Sequence, residues 1–210
     1  MSAARHIAIE GPLRVGKSSL AKALAARINA RTVLDTEANP YLEDFYKNAP
    51  GAALRTQMHF LFERFKQLSE VATGSSLMPM VSDYIFEKDK LFAYLNLTDD
   101  EAAVYDNYYH YFHEKIMPPD LVIYLKATPE VLRERIERKG VSAESKISND
   151  YLQETVRAYE HFFTHYRAAD VLVVDTTKVD FVQNEADLEE LLQELSRPVH
   201  GTQFFLPLGS

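Results

Sequence analysis

Gly11-Pro12-Leu13-Arg14-Val15-Gly16-Lys17-Ser18 follows the short apolar run His6-Ile7-Ala8-Ile9 and precedes a stretch in which Leu20, Leu24 and Ile28 recur at four-residue spacing. It satisfies G-x-x-x-x-G-K-[ST], and it stands where that pattern has meaning, between a buried strand and a helix predicted from Ser18 to about Asn29. The glycines let the backbone curl so that successive N–H groups converge on a polyphosphate. The helix N-terminus adds partial positive charge, Lys17 adds a full one, and the Ser18 hydroxyl is a ligand for Mg²⁺. Gly11, Arg14, Val15, Gly16, Lys17, Ser18 and Ser19 are therefore the candidate residues for a nucleoside triphosphate.

The bulk properties set bounds around this site. A chain of 210 residues with 46% hydrophobic residues is the size of one domain with a substantial core. There is no cysteine, hence no disulfide framework and no thiolate metal site, which suits a reducing cytoplasm. A formal net charge of −8 argues against a general nucleic-acid polymer binder, which needs a basic face. No apolar run approaches membrane-spanning length, and no N-terminal apolar segment reads as a leader. The expected class is a soluble cytoplasmic enzyme of one domain, 1–210.

Further strands are predicted at Thr32–Asp35, Leu77–Val81, Leu121–Leu125 and Val171–Val174. Helices are predicted at about 41–46, 52–72, 84–95, 99–116, 129–139, 149–167 and 185–197. Thr128 as N-cap, Pro129 at the first helical position and Gly140 after the last turn punctuate the fifth of these seven helices. Five short strands alternating with helices imply an α/β fold, a five-stranded parallel sheet in three α/β/α layers of the P-loop NTPase, nucleotide-kinase-like kind. The tail 198–210 carries no pattern that assigns it. In such sheets the loops after the strands carry the site, which draws attention to Glu37 after the second strand and Asp83 after the third. An acid at the latter place commonly holds Mg²⁺ or its waters. Gln57 and Arg64 lie seven apart, and periodicity alone leaves them on an exposed helix face. The run Glu87-Lys88-Asp89-Lys90 reads as a solvated face. Val104, Tyr105, Tyr108, Tyr109 and Phe112 form an aromatic stripe suited to a core or subunit interface. His110 and His113 at helical spacing lack a carboxylate arranged for a metal. Arg135, Arg138 and Lys139 share a face that could close on phosphates.

Several stretches together carry a resemblance: GPLRVGKSS, the Glu37 loop, YLEDFY, TQMHFLFERFKQL, SDYIFEKDKLFA, PPDLVIYLKATPEVLRERIERKG and the VDF before the last helix. In content and order they resemble the deoxynucleoside kinase family over about residues 6–182. The resemblance implies ATP as phosphate donor, Mg²⁺, a deoxynucleoside acceptor, a helical lid at about 135–148 and a homodimer. By position, Glu37 matches the base on the nucleoside 5′-hydroxyl, and Tyr46 the tyrosine on the 3′-hydroxyl, assisted by a lid glutamate matched by Glu144. Gln57 matches the glutamine on the base edge, and Arg64 with Asp89 the pair that selects an amino group. Arg135 and Lys139 match lid contacts to ATP, and Asp180 and Phe181 the loop beside the donor adenine. The family's acid-Arg-Ser triplet reads Asp83-Tyr84-Ile85 here, so transition-state charge falls on Lys17, Arg135, Lys139 and Arg14. Attraction between Arg64 and Asp89 implies an ionised, acceptor-only Asp89, hence deoxyadenosine or deoxycytidine. Two rivals share the loop: a thymidylate-type monophosphate kinase, disfavoured by the acidic Glu37 and Asp83, and a non-catalytic nucleotide-dependent switch.

Overall fold

The computed structural model describes residues 5–36, 38–73, 78–141, 144–179, 181 and 184–207. In chain order the strands are β1 (His6–Glu10), β2 (Arg31–Val33), β3 (Met80–Ser82), β4 (Leu121–Lys126), β5 (Asp170–Asp175) and β6 (Thr202–Phe205). The helices are α1 (Lys17–Ile28), α2 (Leu42–Tyr46), α3 (Ala52–Thr73), α4 (Lys88–Asn96), α5 (Asp99–His113), α6 (Pro129–Lys139), α7 (Asn149–His165) and α8 (Glu185–Leu195). These elements divide between two compact units. One comprises residues 1–34, 77–85 and 119–210, the other 35–76 and 86–118.

The first unit holds the sheet, ordered β2-β3-β1-β4-β5-β6, with every pairing parallel. The β1, β4 and β5 strands are buried on both faces, which is why they read as unbroken apolar runs rather than alternating ones. Leu20, Leu24 and Ala25 of α1 and Leu188, Leu191 and Leu195 of α8 join Ile7, Ile9, Ile123, Leu125, Leu172 and Val174 in one core. Each fully buried leucine or isoleucine is worth about 1.5–3 kcal/mol of transfer free energy. On α7, Phe163 stacks on Tyr124 of β4 with ring centroids 4.1 Å apart.

The sheet has six strands, not five. The sixth comes from the tail that carried no sequence pattern. Four residues give too little alternation to recognise, and Phe204 of β6 is 79% exposed. What fixes the strand is its entry: Asp170 accepts from the Gly201 N–H at 2.7 Å, and Val171 N–H donates to the Gly201 carbonyl at 2.8 Å.

A further difference follows β3. The expected helix from Tyr84 starts at Lys88 instead. Tyr84 and Ile85 are buried and their backbone groups are already engaged: Ser82 Oγ donates to the Tyr84 carbonyl at 2.8 Å and Ile85 N–H donates to Glu10 Oε2 at 3.1 Å.

The second unit is helical, α2 to α5. The Thr98 side chain and Glu101 form a reciprocal capping box at the start of α5. Phe65 of α3 stacks on Phe112 of α5 at 4.2 Å. Tyr105, Tyr109 and Phe112 of the predicted stripe are buried, whereas Val104 and Tyr108 stay exposed beside Phe62 and Tyr111. The stripe is thus half core and half surface. Among the described residues no helix is long and apolar enough to cross a membrane.

Candidate active site

The loop between β1 and α1 adopts the curl that its glycines permit. Gly11 has φ +149°, and a Cβ there would meet the Leu125 carbonyl oxygen at 2.3 Å, so no other residue fits. Arg14 and Gly16 also have positive φ. The α1 helix starts at Lys17 with no acidic residue in its first turn and no side chain capping it, which suits an anion at that end. Lys17 Nζ donates to the Gly11 carbonyl at 2.7 Å and the Pro12 carbonyl at 2.9 Å, holding the cation over the loop. Val15 is buried, and Ser19 lies exposed on the first turn of α1. Ser18 Oγ donates to Asp83, so the two residues expected to hold Mg²⁺ are in contact. A hydroxyl and a carboxylate are oxygen donors of the kind this hard cation takes.

A residue not singled out from sequence holds the arrangement together. Glu10 is fully buried. Its carboxylate accepts from Gly11 N–H at 2.8 Å, from Ile85 N–H at 3.1 Å and from the Tyr159 hydroxyl at 3.0 Å. One side chain thereby ties the start of the loop, the segment after Asp83, and α7. An acid inside an apolar strand was the available signal.

The cations after β4 are placed unequally. Arg135 donates to the Val15 carbonyl at 3.2 Å, the Thr176 carbonyl at 2.7 Å and the Val179 carbonyl at 3.2 Å. It therefore links α6 to both the loop and the stretch after β5. Lys139 is exposed in the last turn of α6. Glu144 lies in a 3₁₀ turn, Glu144–Lys146, and accepts from Arg14 through both oxygens, Nε to Oε2 at 2.7 Å and Nη2 to Oε1. A cavity of about 450 Å³ opens between α6 and the residues after β5, with Arg135, Arg138, Lys178 and Asp187 on its walls. Phe181 is buried in the core beside Val179 and Leu188. Asp180 lies outside the described residues.

The second unit carries the other group of predicted residues. Tyr46, on α2, is 36% exposed and packs against Phe45. Gln57 and Arg64 are 4% exposed and Asp89 is fully buried, with Lys88 beside it at 9%. The exposed faces that periodicity and mixed charge suggested are therefore buried. Their polar groups are enclosed by α3, α4 and α5, a tertiary fact that no helical period reports. Glu37 lies outside the described residues. Its loop is anchored by Asn39, whose side chain donates to the Thr56 carbonyl at 3.0 Å and accepts from Tyr41 N–H at 3.0 Å.

Arg64 does pair with Asp89, Nη1 to Oδ1, but it has a second partner. Asp35 accepts from Arg64 Nε at 3.0 Å and from Nη2 at 2.9 Å, and from Lys88 Nζ at 2.9 Å. Asp35 read as the last residue of a strand, and Lys88 as part of a solvated run. Four ionisable groups thus form one chain, Asp89–Arg64–Asp35–Lys88. Burial would raise the Asp35 carboxyl, but the Arg64 and Lys88 charges outweigh it and hold it well below the usual carboxylate range. At Asp89 the balance runs the other way. Burial, with the neighbouring Asp35 charge, pushes its carboxyl up to about 6 despite Arg64. The expectation of an Asp89 held firmly ionised by Arg64 is corrected on this point. Among the described residues of this unit, five buried side-chain atoms have no hydrogen-bond partner: Thr56 Oγ1, Gln57 Oε1, Asp89 Oδ2, the Tyr105 hydroxyl and Asp106 Oδ1. Buried polar groups are almost always satisfied, so orphans grouped on three helices are the signature of a ligand site.

Comparison with known proteins places this geometry. The profile of the family described as deoxynucleoside kinase matches residues 7–200. The chain is 34% identical over 198 residues to a deoxyguanosine kinase of Bacillus subtilis, covering 91% of this chain and 96% of the relative. It is 30% identical over 206 residues to a deoxyadenosine/deoxycytidine kinase of the same organism, covering 94% of each. The structure of a deoxyadenosine kinase from M. mycoides with bound dATP superposes with a TM-score of 0.78 at 24% identity, covering 91% of this chain and 100% of that one. The loop, the sheet and the full-length matches agree: the chain belongs to the deoxynucleoside kinase family and is an ATP-dependent kinase of deoxynucleosides.

Proposed function

We propose that residues 1–210 act as one kinase domain that transfers the γ-phosphate of ATP to the 5′-hydroxyl of a deoxynucleoside carrying an exocyclic amino group. Deoxyadenosine or deoxycytidine is the preferred acceptor. The observation that carries this reading is the buried set of Gln57, Arg64 and Asp89, with unpartnered oxygens on Gln57 and Asp89. Above about pH 6, Asp89 is mostly ionised, an acceptor for an amino group and repulsive to a carbonyl oxygen. Gln57 offers both a donor and an acceptor to the remaining edge. Tyr46 and Glu144 are assigned to the sugar 3′-hydroxyl, and Glu37 to the 5′-hydroxyl as general base.

On the donor side, Gly11 to Ser19 cradle the phosphates, and Arg135 and Lys139 close the lid at about 135–148 over them. Asp180 and Phe181 are assigned to the loop beside the adenine, with the Phe181 side chain packed into the core. Ser18 and Asp83 would hold Mg²⁺, which when bound would supply positive charge against the phosphates. The relatives' names divide between deoxyguanosine and deoxyadenosine or deoxycytidine, so the base must be measured. The reaction serves deoxynucleotide salvage in the cytoplasm.

The deciding experiment is a panel of the four deoxynucleosides with ATP and Mg²⁺, with dTMP, water alone and omission of Mg²⁺ as controls. Deoxyadenosine or deoxycytidine should give the highest kcat/KM. Asp89→Ala should lower activity on those two and narrow their lead over thymidine, since a site built to bond one group rejects an analogue lacking it. A wild-type preference for thymidine, or an unaltered preference in Asp89→Ala, would refute the assignment of this pair to the base.

The chain is also proposed to form a homodimer through the exposed aromatic patch of α3 and α5, where Phe62, Tyr108 and Tyr111 are each more than 40% exposed. Aromatic patches of this kind are uncommon on monomers. Sedimentation showing a monomer at micromolar concentration would exclude it.

A further inference from the structure

The chain of charges in the second unit has a member that no base-reading scheme above employs. Asp35 lies ahead of the acceptor loop and binds Arg64 through two parallel hydrogen bonds, both N···O distances at or below 3.0 Å. It binds Lys88 as well. Arg64 also donates from Nη1 to Asp89 Oδ1, while Asp89 Oδ2, fully buried, has no hydrogen-bond partner among the described residues. Asp35 therefore shares the guanidinium with Asp89, taking two of its N–H groups in a bidentate pair.

We propose that Asp35 is a positioning residue for base specificity: by drawing on Arg64 and Lys88 it leaves Asp89 incompletely neutralised, so that Asp89 presents either a bare carboxylate or a protonated carboxyl to the base. The inference rests on the reading that Asp89 faces the base. Its consequence is a change in the class of acceptor. Ionised Asp89 accepts from the amino group of adenine. Protonated Asp89 donates to the 6-oxo oxygen of guanine, which the carboxylate repels. Gln57 serves either base, because its amide can donate or accept.

The surroundings of Asp89 favour this switch. Arg64 reaches it from α3, Asp35 from the segment before the acceptor loop and Lys88 from its own helix α4. From α5 the Tyr105 hydroxyl faces it, and burial together with the Asp89 charge keeps that hydroxyl protonated far above its ordinary range. The four ionised groups sum to zero, since two carboxylates meet two cations. Removing the Asp35 charge would leave Asp89 facing two cations alone, and so hold it ionised. Removing the Lys88 charge would do the opposite. The Asp89 carboxyl, pushed up to about 6, titrates inside the range where the enzyme can be assayed.

The test is the ratio of kcat/KM for deoxyguanosine to that for deoxyadenosine, measured from pH 5 to 8 with ATP and Mg²⁺. Taking the ratio removes pH effects on the phosphoryl-transfer machinery that both substrates share. In the wild-type chain the ratio should rise at least about tenfold from pH 8 to pH 5, as the protonated fraction of Asp89 grows. In Asp35→Asn the rise should move to lower pH by about one unit or more, and deoxyguanosine should lose ground at pH 7.5. In Lys88→Gln it should move to higher pH, a second and opposite shift that keeps the test decisive if Asp35→Asn fails to fold. Asp89→Asn should flatten the profile. A flat wild-type ratio overturns the inference, as does a rise that stays in place in both Asp35→Asn and Lys88→Gln. Asp89→Ala separates the two levels: if it shifts base preference while the wild-type ratio is flat, the base-reading pair stands and the switch falls. If it leaves preference unaltered, the base-reading assignment itself fails, and the switch with it.

Discussion

Lys17→Ala is expected to lower kcat at least about 10²-fold on every deoxynucleoside the enzyme accepts, because electrostatic stabilisers of this kind are worth roughly 3–4 kcal/mol. The lysine is already drawn over the loop by the Gly11 and Pro12 carbonyls. There it can meet the charge that builds up on the β,γ-bridging oxygen as its bond to the transferred phosphorus breaks. The loss should appear in kcat more than in KM for the nucleoside, since the acceptor contacts lie on other residues. Near-normal turnover in this variant would show that the loop is not the donor site.

A second large effect is expected at the acceptor hydroxyl. Glu37→Gln keeps the shape of the side chain and removes its ability to take a proton. Turnover should fall about 10²–10⁴-fold while nucleoside binding changes little. The neighbouring acid Asp35 is a poor substitute, because Arg64 and Lys88 hold its carboxyl well below the usual range and so make it a weak base. Calorimetric binding of the best deoxynucleoside, beside single-turnover rates, distinguishes the outcomes. Equal losses in both would make Glu37 a substrate ligand rather than a base, and an unchanged rate would remove it from the mechanism.

The parts legible in the sequence were those written in local patterns. The phosphate loop is legible because only glycine tolerates the close approach at position 11, and because lysine and serine must follow at fixed spacing. The β4 and β5 strands are legible as charge-free runs, and α6 through its Thr128, Pro129 and Gly140 punctuation. What failed was whatever depends on which helix face another helix covers. Gln57 and Arg64, read as exposed, are buried, and a run of four charges turned out to hide Lys88 and Asp89. Burial of paired charges leaves no trace in hydrophobic periodicity, since the stripe records apolar residues only. Asp35 and Glu10 were passed over for a related reason: each lies at or beside a strand end, where an acid is ordinarily solvated. Apart from the adjacent Gly11 N–H, the partners described above are distant along the chain: Arg64 for Asp35, Ile85 and Tyr159 for Glu10. The β6 strand escaped notice because a four-residue edge segment has too little alternation to announce itself.

That last strand bears on how the protein can be handled. Along β5 the run Val171-Leu172-Val173-Val174 pairs on one side with β4 and on the other with β6. Without Thr202–Phe205 its second row of N–H and C=O groups would form a bare, apolar sheet margin, the sort on which identical chains add to one another. The few residues before and within β6 therefore act as a selvedge. Cleavage of the chain just upstream of Gly201 would unravel that margin.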